Sequence, residues 1–89
     1  MQAVITVTGK DTSGIVAAVS AECAAHHANI SDITQSVVGG YFVMIMIVDI
    51  DKLDIDFSEF VDVMTSLGKS KSLVINTMHG NIFDSMHKI

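Results

Sequence analysis

The chain has 89 residues, of which 49% are hydrophobic, and it carries a formal net charge of −5 at pH 7 with no arginine. That length predicts a single domain with a small core, and the missing basic face argues against direct binding to DNA or RNA. No uncharged apolar stretch is long enough for a membrane-spanning helix, and the N-terminus lacks the basic and apolar regions of a secretory signal.

The first predicted elements are a strand and an Ala-rich helix. The strand runs from Ala3 to Thr8, where Val and Ile are mixed with Thr as a sheet prefers. Helix one is predicted from Ser13 to His26, with Asp11, Thr12 or Ser13 capping its N-terminus. The spacing of its apolar residues indicates one buried stripe. The stripe consists of Ile15, Val16, Val19 and Cys23.

The turn between this strand and helix one, from Gly9 to Gly14, is the main functional signal. A helix that starts after a small-residue turn leaves backbone N–H groups without acceptors at its positive end. Such an end suits a small anion, for instance the carboxylate of an amino acid. Lys10 lies in this turn and is the only cation among the first 51 residues. We therefore predict a ligand site here, with a solvated loop lysine as the alternative interpretation of Lys10.

Two strands joined by a tight turn come next. The first spans Asn29 to Val38, and Gly39-Gly40 is typical of a type I′ hairpin, whose central residues need positive φ. The second, Tyr41 to Ile50, is apolar through Val48 without alternation, which predicts a central strand covered on both faces. A mean hydropathy of +0.50 exceeds what one small core hides. We expect the second face to meet the C-terminal segment or another copy, in a homo-oligomer of two or more chains.

The C-terminal half repeats the order of helix and strand. An acidic connection leads into helix two, which is predicted from Asp56 to Leu67 with Asp54 or Asp56 as its N-cap. Gly68 is expected to end this helix as a C-cap. The last strand is predicted from Ser72 to Met78, because its apolar residues are bounded by polar ones and then by glycine.

The predicted order is therefore β-α-β-β-α-β. Right-handed crossovers place both helices on one face of a four-stranded antiparallel sheet, which is an α+β, ferredoxin-like fold with strands one and three in the centre. We assign residues 1–78 to this domain and residues 79–89 to a helical extension of it. Gly80 is expected to end the last strand, and Asn81 to cap a short terminal helix. The apolar residues of that helix are Ile82, Phe83, Met86 and Ile89.

Two short motifs, one at the turn and one at the start of strand two, resemble an ACT domain. They are Asp11-Thr12-Ser13-Gly14-Ile15-Val16 and Asn29-Ile30. The family consists of small regulatory modules that bind amino acids in many metabolic enzymes and regulators. The βαββαβ order supports the resemblance over about residues 2–78. The chain is similar to stand-alone bacterial ACT proteins, which in turn resemble halves of the glycine-cleavage transcriptional regulator.

The resemblance implies a ligand site between two modules, against the first turn and the start of strand two. Gly14 would allow close approach of the backbone, and the N–H groups that follow it would face the ligand carboxylate. Asn29, expected beside Gly14, would bind the amino group together with Asp11. The implied ligand-binding residues are Asp11, Ser13, Gly14, Ile15, Val16, Asn29 and Ile30, with Lys10 and Asp32 as further candidates.

Two departures from the family pattern concern the ends of helix one. Ser13 stands where the family often has Pro, and His27 stands where the helix usually closes with Gly. Histidine tolerates the left-handed conformation better than most residues do. We therefore expect helix one to close at His27 in spite of the missing glycine.

Catalytic and metal chemistry find little support in the sequence. Cys23 and His27 share a helix face, but Cys23 falls on the buried stripe and His26 points elsewhere, so we expect no metal site. No nucleophile–base pair and no phosphate-binding loop can be assembled. We expect no enzyme activity and no cofactor. Because Cys23 is the only cysteine, an intramolecular disulfide is excluded, which fits a reducing, cytoplasmic location.

Two functional interpretations remain open. The first is a regulatory module that binds a small amino acid and acts through ligand-linked homo-oligomerisation. The alternative is a ligand-free protein–protein interaction module that docks on a metabolic or regulatory partner. In that case Gly14 would only let helix one pack tightly, and Asn29 would only satisfy backbone groups of its turn.

Overall fold

The computed structural model of the chain describes residues 1–10 and 13–81. Its strands form one antiparallel sheet in the order β2-β3-β1-β4. The predicted α+β, ferredoxin-like βαββαβ fold with strands one and three in the centre is confirmed. Residues 82–89, which carry the predicted terminal helix, lie outside the described residues. The elements are β1 (Gln2–Gly9), α1 (Ile15–Ala25), β2 (Asn29–Val38), β3 (Tyr41–Asp49), α2 (Phe57–Ser70) and β4 (Val74–His79).

The core lies between the two helices and one face of the sheet, here called the inner face. Alternate residues of β1 and β3 enter it, as the two-residue period of a strand requires. Val16 does not belong to the buried stripe as predicted, because it is 36% exposed on the far side of α1. The buried side chains include Ile5, Val7, Ile15, Val19, Cys23, Phe42, Met44, Met46, Val48, Phe60 and Met64.

The C-terminus of α1 closes as expected from the sequence. His27 adopts a left-handed conformation with φ 62°. The Ala28 N–H donates to the Cys23 carbonyl at 2.8 Å, and the His27 N–H donates to the Ala24 carbonyl at 3.3 Å. This is the Schellman arrangement, which satisfies carbonyls that the helix end leaves free. It reverses the chain so that β2 can start at once.

The predicted C-cap of helix two is wrong. Gly68 lies inside α2, which continues to Ser70, and Ser72 takes the left-handed position with φ 58°. The Leu73 N–H donates to the Gly68 carbonyl at 2.8 Å. A Cβ on Gly68 would lie 2.8 Å from the Leu73 carbonyl oxygen. The glycine is therefore required by the close approach of the β4 start to the helix, and not by a positive φ.

The N-caps also differ from the prediction. Helix α1 begins at Ile15 with Gly14 as its N-cap, so Ser13 does not cap it; Asp11 and Thr12 lie outside the described residues. Asp56 occupies the N-cap position of α2, but its side chain makes no capping hydrogen bond. The carboxylate of Asp54 lies 2.9 Å from the His26 ring Nδ1 instead. That contact ties the end of α1 to the connection that precedes α2.

One face of β3 is covered by the helices and the other is open. Phe42, Met44, Met46 and Val48 are buried, while Ile45 on the opposite face is 37% exposed. The sequence predicted that both faces of this strand are covered. The residues that the structure describes do not cover the second face in this way. Gly39 and Gly40 both have positive φ, as the predicted hairpin turn requires.

Candidate ligand-binding site

The N-terminus of α1 is the centre of the predicted site, and Gly14 shapes it. Gly14 is left-handed with φ 70°, and its carbonyl accepts the first helical hydrogen bond from the Ala18 N–H at 3.0 Å. A Cβ built on Gly14 would meet no heavy atom of the described residues within 4 Å. The glycine is thus required by its backbone conformation and not by tight packing of the helix. The first N–H groups of the helix have no acceptor within the helix, so we expect a ligand at this end to bind there.

A cavity of about 240 Å³ lies against this helix end. Ile15 is 2% exposed and packs in the core, so it can offer a ligand its backbone N–H but little of its side chain. The end of α2 brings Lys71 to the same cavity. The Lys71 ammonium and the positive end of the α1 dipole favour the same kind of ligand, a small anion. The lining residues are Ser13, Ile15, Ser70, Lys71 and Leu73.

The sequence reasoning did not include Ser70 and Lys71. The signal lay in the topology, because β4 is antiparallel to β1 and Val74 pairs with Thr8. The residues that lead into β4 must therefore lie next to those that leave β1. A polar or cationic residue just before the last strand is placed beside the start of α1 by this fold.

Asn29 lies at the opposite end of the sheet. It pairs with Asp49, whereas Gly9 at the end of β1 pairs with Phe42. The 11 residues of α1 span about 16 Å between the two ends. The expectation that Asn29 lies beside Gly14 within one chain is wrong, because the helix carries the chain away from the turn before β2 begins.

Ile30 and Asp32 start β2 at this same distant end. A register irregularity lies between them, where Ser31 donates a side-chain hydrogen bond to the Ile47 carbonyl at 3.1 Å. Ile30 pairs with the buried Val48, while Asp32 faces the side of the sheet opposite the helices. A single chain therefore gathers Ser13, Gly14, Ile15 and Val16 in one place and keeps Asn29, Ile30 and Asp32 apart from them.

Lys10, another candidate for the site, does not line the cavity at α1. Its Nζ lies 5.5 Å from the centroid of the Tyr41 ring. It lines a separate cavity at the end of β1. Asp11, which the resemblance assigns to the ligand amino group, lies outside the described residues.

The predicted absence of a metal site rested on Cys23, His26 and His27, which do not converge. Cys23 is fully buried, and burial, assisted by the nearby Glu22 carboxylate, raises the pKa of its thiol to about 11. His26 contacts Asp54, and its Nε2 lies 3.9 Å from Glu22. Within residues 1–10 and 13–81, no group of three His, Cys, Asp or Glu side chains is placed to hold a metal ion.

Strand β2 presents a second unusual feature, an open edge. All ten of its residues are exposed, and within the part of the chain that the structure describes it pairs with β3 on one side only. The exposed fractions of its large apolar side chains run from 37% to 66%. A long edge strand with free N–H and carbonyl groups is a template for pairing with another chain. The apolar members of this edge are Ile30, Ile33, Val37 and Val38.

The fold, the open helix end and the exposed edge strand together define a small ferredoxin-like module with features suited to ligand binding and assembly. The chain belongs to the ACT domain family, whose model matches residues 1–77. Membership places it among regulatory ligand-binding modules. None of the helices in the part of the chain that the structure describes has the length and apolar character needed to cross a membrane.

Individual relatives agree with this assignment. A UPF0237 protein of Methanococcus maripaludis is 48% identical over 86 residues, which cover 97% of this chain and 96% of the relative. The ACT domain protein from Streptococcus pneumoniae has a TM-score of 0.84 and 40% identity, and 98% of each chain is covered. A protein assigned as a glycine cleavage system transcriptional repressor has a TM-score of 0.68 at 24% identity, with 85% of this chain and 43% of that one covered. The fold therefore also corresponds to about half of that repressor.

Proposed function

We propose that this protein binds a small amino acid at the N-terminus of α1 and that binding is linked to homo-oligomerisation. The observation that carries the proposal is the left-handed Gly14 at the N-cap of α1, where a Cβ would meet no heavy atom of the described residues within 4 Å. Those groups would bind the ligand carboxylate, and the Lys71 ammonium would add charge complementarity. A cavity of about 240 Å³ suits a ligand of a few heavy atoms.

A second copy would complete the site. If β2 pairs antiparallel with β2 of another copy about a two-fold axis, the start of one strand lies at the end of the other. That end of β2 is also the end of the sheet at which β1 stops, since Gly9 and Val37 both pair with Phe42. Asn29 of the partner subunit would thereby reach the same side of the molecule as Gly14. Its side-chain oxygen would accept from the ligand ammonium.

The same geometry links binding to assembly. A ligand that contacts two subunits binds the associated form more tightly than the separate chains, so it must also strengthen their association. A coupling free energy of about 1–3 kcal/mol is typical of such sites. The protein would act as a sensor whose oligomeric state or subunit orientation reports the ligand concentration.

Thermal-shift measurements with the twenty amino acids test the ligand. We expect at least one of them, at millimolar concentration, to raise the Tm of the wild-type chain. Gly14→Val should abolish the shift, because a β-branched residue is strained at positive φ and fills the open approach to the N–H groups. Asn29→Ala should weaken it.

Ile5→Val is the control, since it removes a methyl group from the core and lies outside both the cavity lining and the β2 edge. It should lower the Tm and leave the ligand-induced shift in place. If no amino acid raises the Tm of the wild-type chain, the proposal that the protein binds an amino acid is contradicted.

A ligand-free interaction module is the second candidate, and the exposed β2 edge favours it. In that case the edge would accept a strand of another protein instead of a second copy. Purified chain would then stay monomeric at all concentrations and show no thermal response to amino acids.

A further inference from the structure

A second cavity lies on the other side of the sheet, and the proposed amino-acid site does not use it. Its volume is about 400 Å³. Val7, Phe42 and Ile75 point into the core, so their neighbours on β1, β3 and β4 point to the opposite face, here called the outer face. It shares no residue with the cavity at α1. The lining residues are Thr8, Gly9, Lys10, Tyr41, Ser72 and Val74.

Lys10 gives this cavity its charge. The ammonium lies 5.5 Å from the centroid of the Tyr41 ring, on which it is held by a cation–π contact. Among the residues that the structure describes, no carboxylate lies within ion-pair distance of Lys10. Among the residues of its lining that the structure describes, none is acidic. Although the chain has a net charge of −5, the Lys10 ammonium is thus a local positive charge that can bind an anion.

The rest of the cavity includes an apolar surface formed by Tyr41 and Val74, whose backbones are positioned by strand pairing. Tyr41 is 45% exposed and Val74 is 62% exposed, which is high for residues of this size in a sheet. Tyr41 pairs with Val38 across the hairpin, and Val74 pairs with Thr8. These backbone pairings fix the positions of the ring and the aliphatic side chain. The backbone that carries both side chains is therefore fixed by the sheet.

We propose that this cavity binds a small organic carboxylate with a flat apolar body and no ammonium group. The carboxylate would lie at the Lys10 ammonium, and the flat body would cover the exposed parts of Tyr41 and Val74. An ammonium group on the ligand is disfavoured, because it would lie near Lys10 and the described part of the lining offers it no carboxylate. The site is thus chemically distinct from the amino-acid site at α1.

Phenylacetate is a suitable probe, with phenethylamine as the counterpart of opposite charge. We expect phenylacetate to shift the amide NMR resonances of Thr8, Gly9 and Val74 with a dissociation constant on the order of 1 mM. Phenethylamine should leave them unchanged. Gly14→Val should bind phenylacetate normally, so the outcome does not depend on the amino-acid site.

Two variants locate the probe. Lys10→Gln should weaken phenylacetate binding about tenfold, and Tyr41→Ala should weaken it as well. Lys52→Gln is the matched control, because it removes the same charge from an exposed residue outside the cavity lining. The Tm of each variant shows that it is folded. Three outcomes would each overturn the proposal. They are binding that survives Lys10→Gln, resonance shifts on other surfaces, and no response to phenylacetate at about ten times the expected dissociation constant.

Discussion

At the scale of single residues, Cys23 shows how burial decides the chemistry of a side chain. Its Sγ lies 3.9 Å from the Met46 Sδ in the core, and the pKa of the thiol is raised to about 11 from an ordinary 9.0. The thiolate is the reactive form, so neither access nor ionisation favours reaction in the folded chain. The sequence placed Cys23 on the buried stripe correctly, because helical periodicity alone determines that position.

Cys23 leads to a prediction about the pH dependence of stability. The pKa in the folded state lies above the unfolded value, so the thiol contributes no penalty below about pH 9. Between about pH 9 and pH 11 the unfolded chain loses the proton first, and the free energy of unfolding falls as pH rises. Urea denaturation of the wild-type chain and of Cys23→Ala at several pH values measures this. The wild-type chain should lose more stability than the variant over that range; equal losses would contradict the assignment.

At the scale of elements, Gly68 joins α2 to β4. Alanine is normally a better helix former than glycine by about 1 kcal/mol, so the sequence alone suggests that Gly68→Ala within a helix is stabilising. The Leu73 carbonyl oxygen at 2.8 Å and the Ile75 side chain at 3.1 Å from the built Cβ reverse that sign. Tertiary contact overrides local propensity here.

We therefore expect Gly68→Ala to lower the free energy of unfolding by about 1–3 kcal/mol, the usual cost of overpacking. Chemical denaturation of the variant measures it. Ser66→Ala is the control, because Ser66 is exposed on the same helix and the change should be neutral or slightly stabilising. A stabilised Gly68→Ala would show that β4 can move away from α2 at little cost.

Element type and order were predictable from the sequence, whereas helix ends were less so. The patterns of β1, β3 and α2 repeat over enough residues to define strand or helix. The helix ends depend on single backbone conformations. Gly14, which is left-handed, is the N-cap that was predicted at Asp11, Thr12 or Ser13, and Ser72 takes the left-handed position that was predicted at Gly68. At His27 the prediction held, because the next strand follows at once and leaves no room for another turn.

At the scale of the whole molecule, the site could be predicted only in part. The residues around Gly14 are contiguous in the chain, so their common position at the start of α1 followed from the sequence. Lys71 and the true position of Asn29 depend on which strand ends meet, and that follows from sheet order and not from spacing along the chain. A joint site of Gly14 and Asn29 requires a second copy, which makes assembly the central claim.

Sedimentation equilibrium of the full chain tests that claim most directly, with and without the amino acid that raises the Tm most. The wild-type chain should self-associate, and the ligand should tighten association by about tenfold or more. Val37→Lys should weaken association, because it places a charge on the exposed β2 edge. Ala21→Lys on the exposed side of α1 is the control and should associate normally, because Ala21 is outside the candidate site. Two results would contradict the account. In the first, the wild-type chain stays monomeric at every concentration; in the second, it associates equally well with and without the ligand.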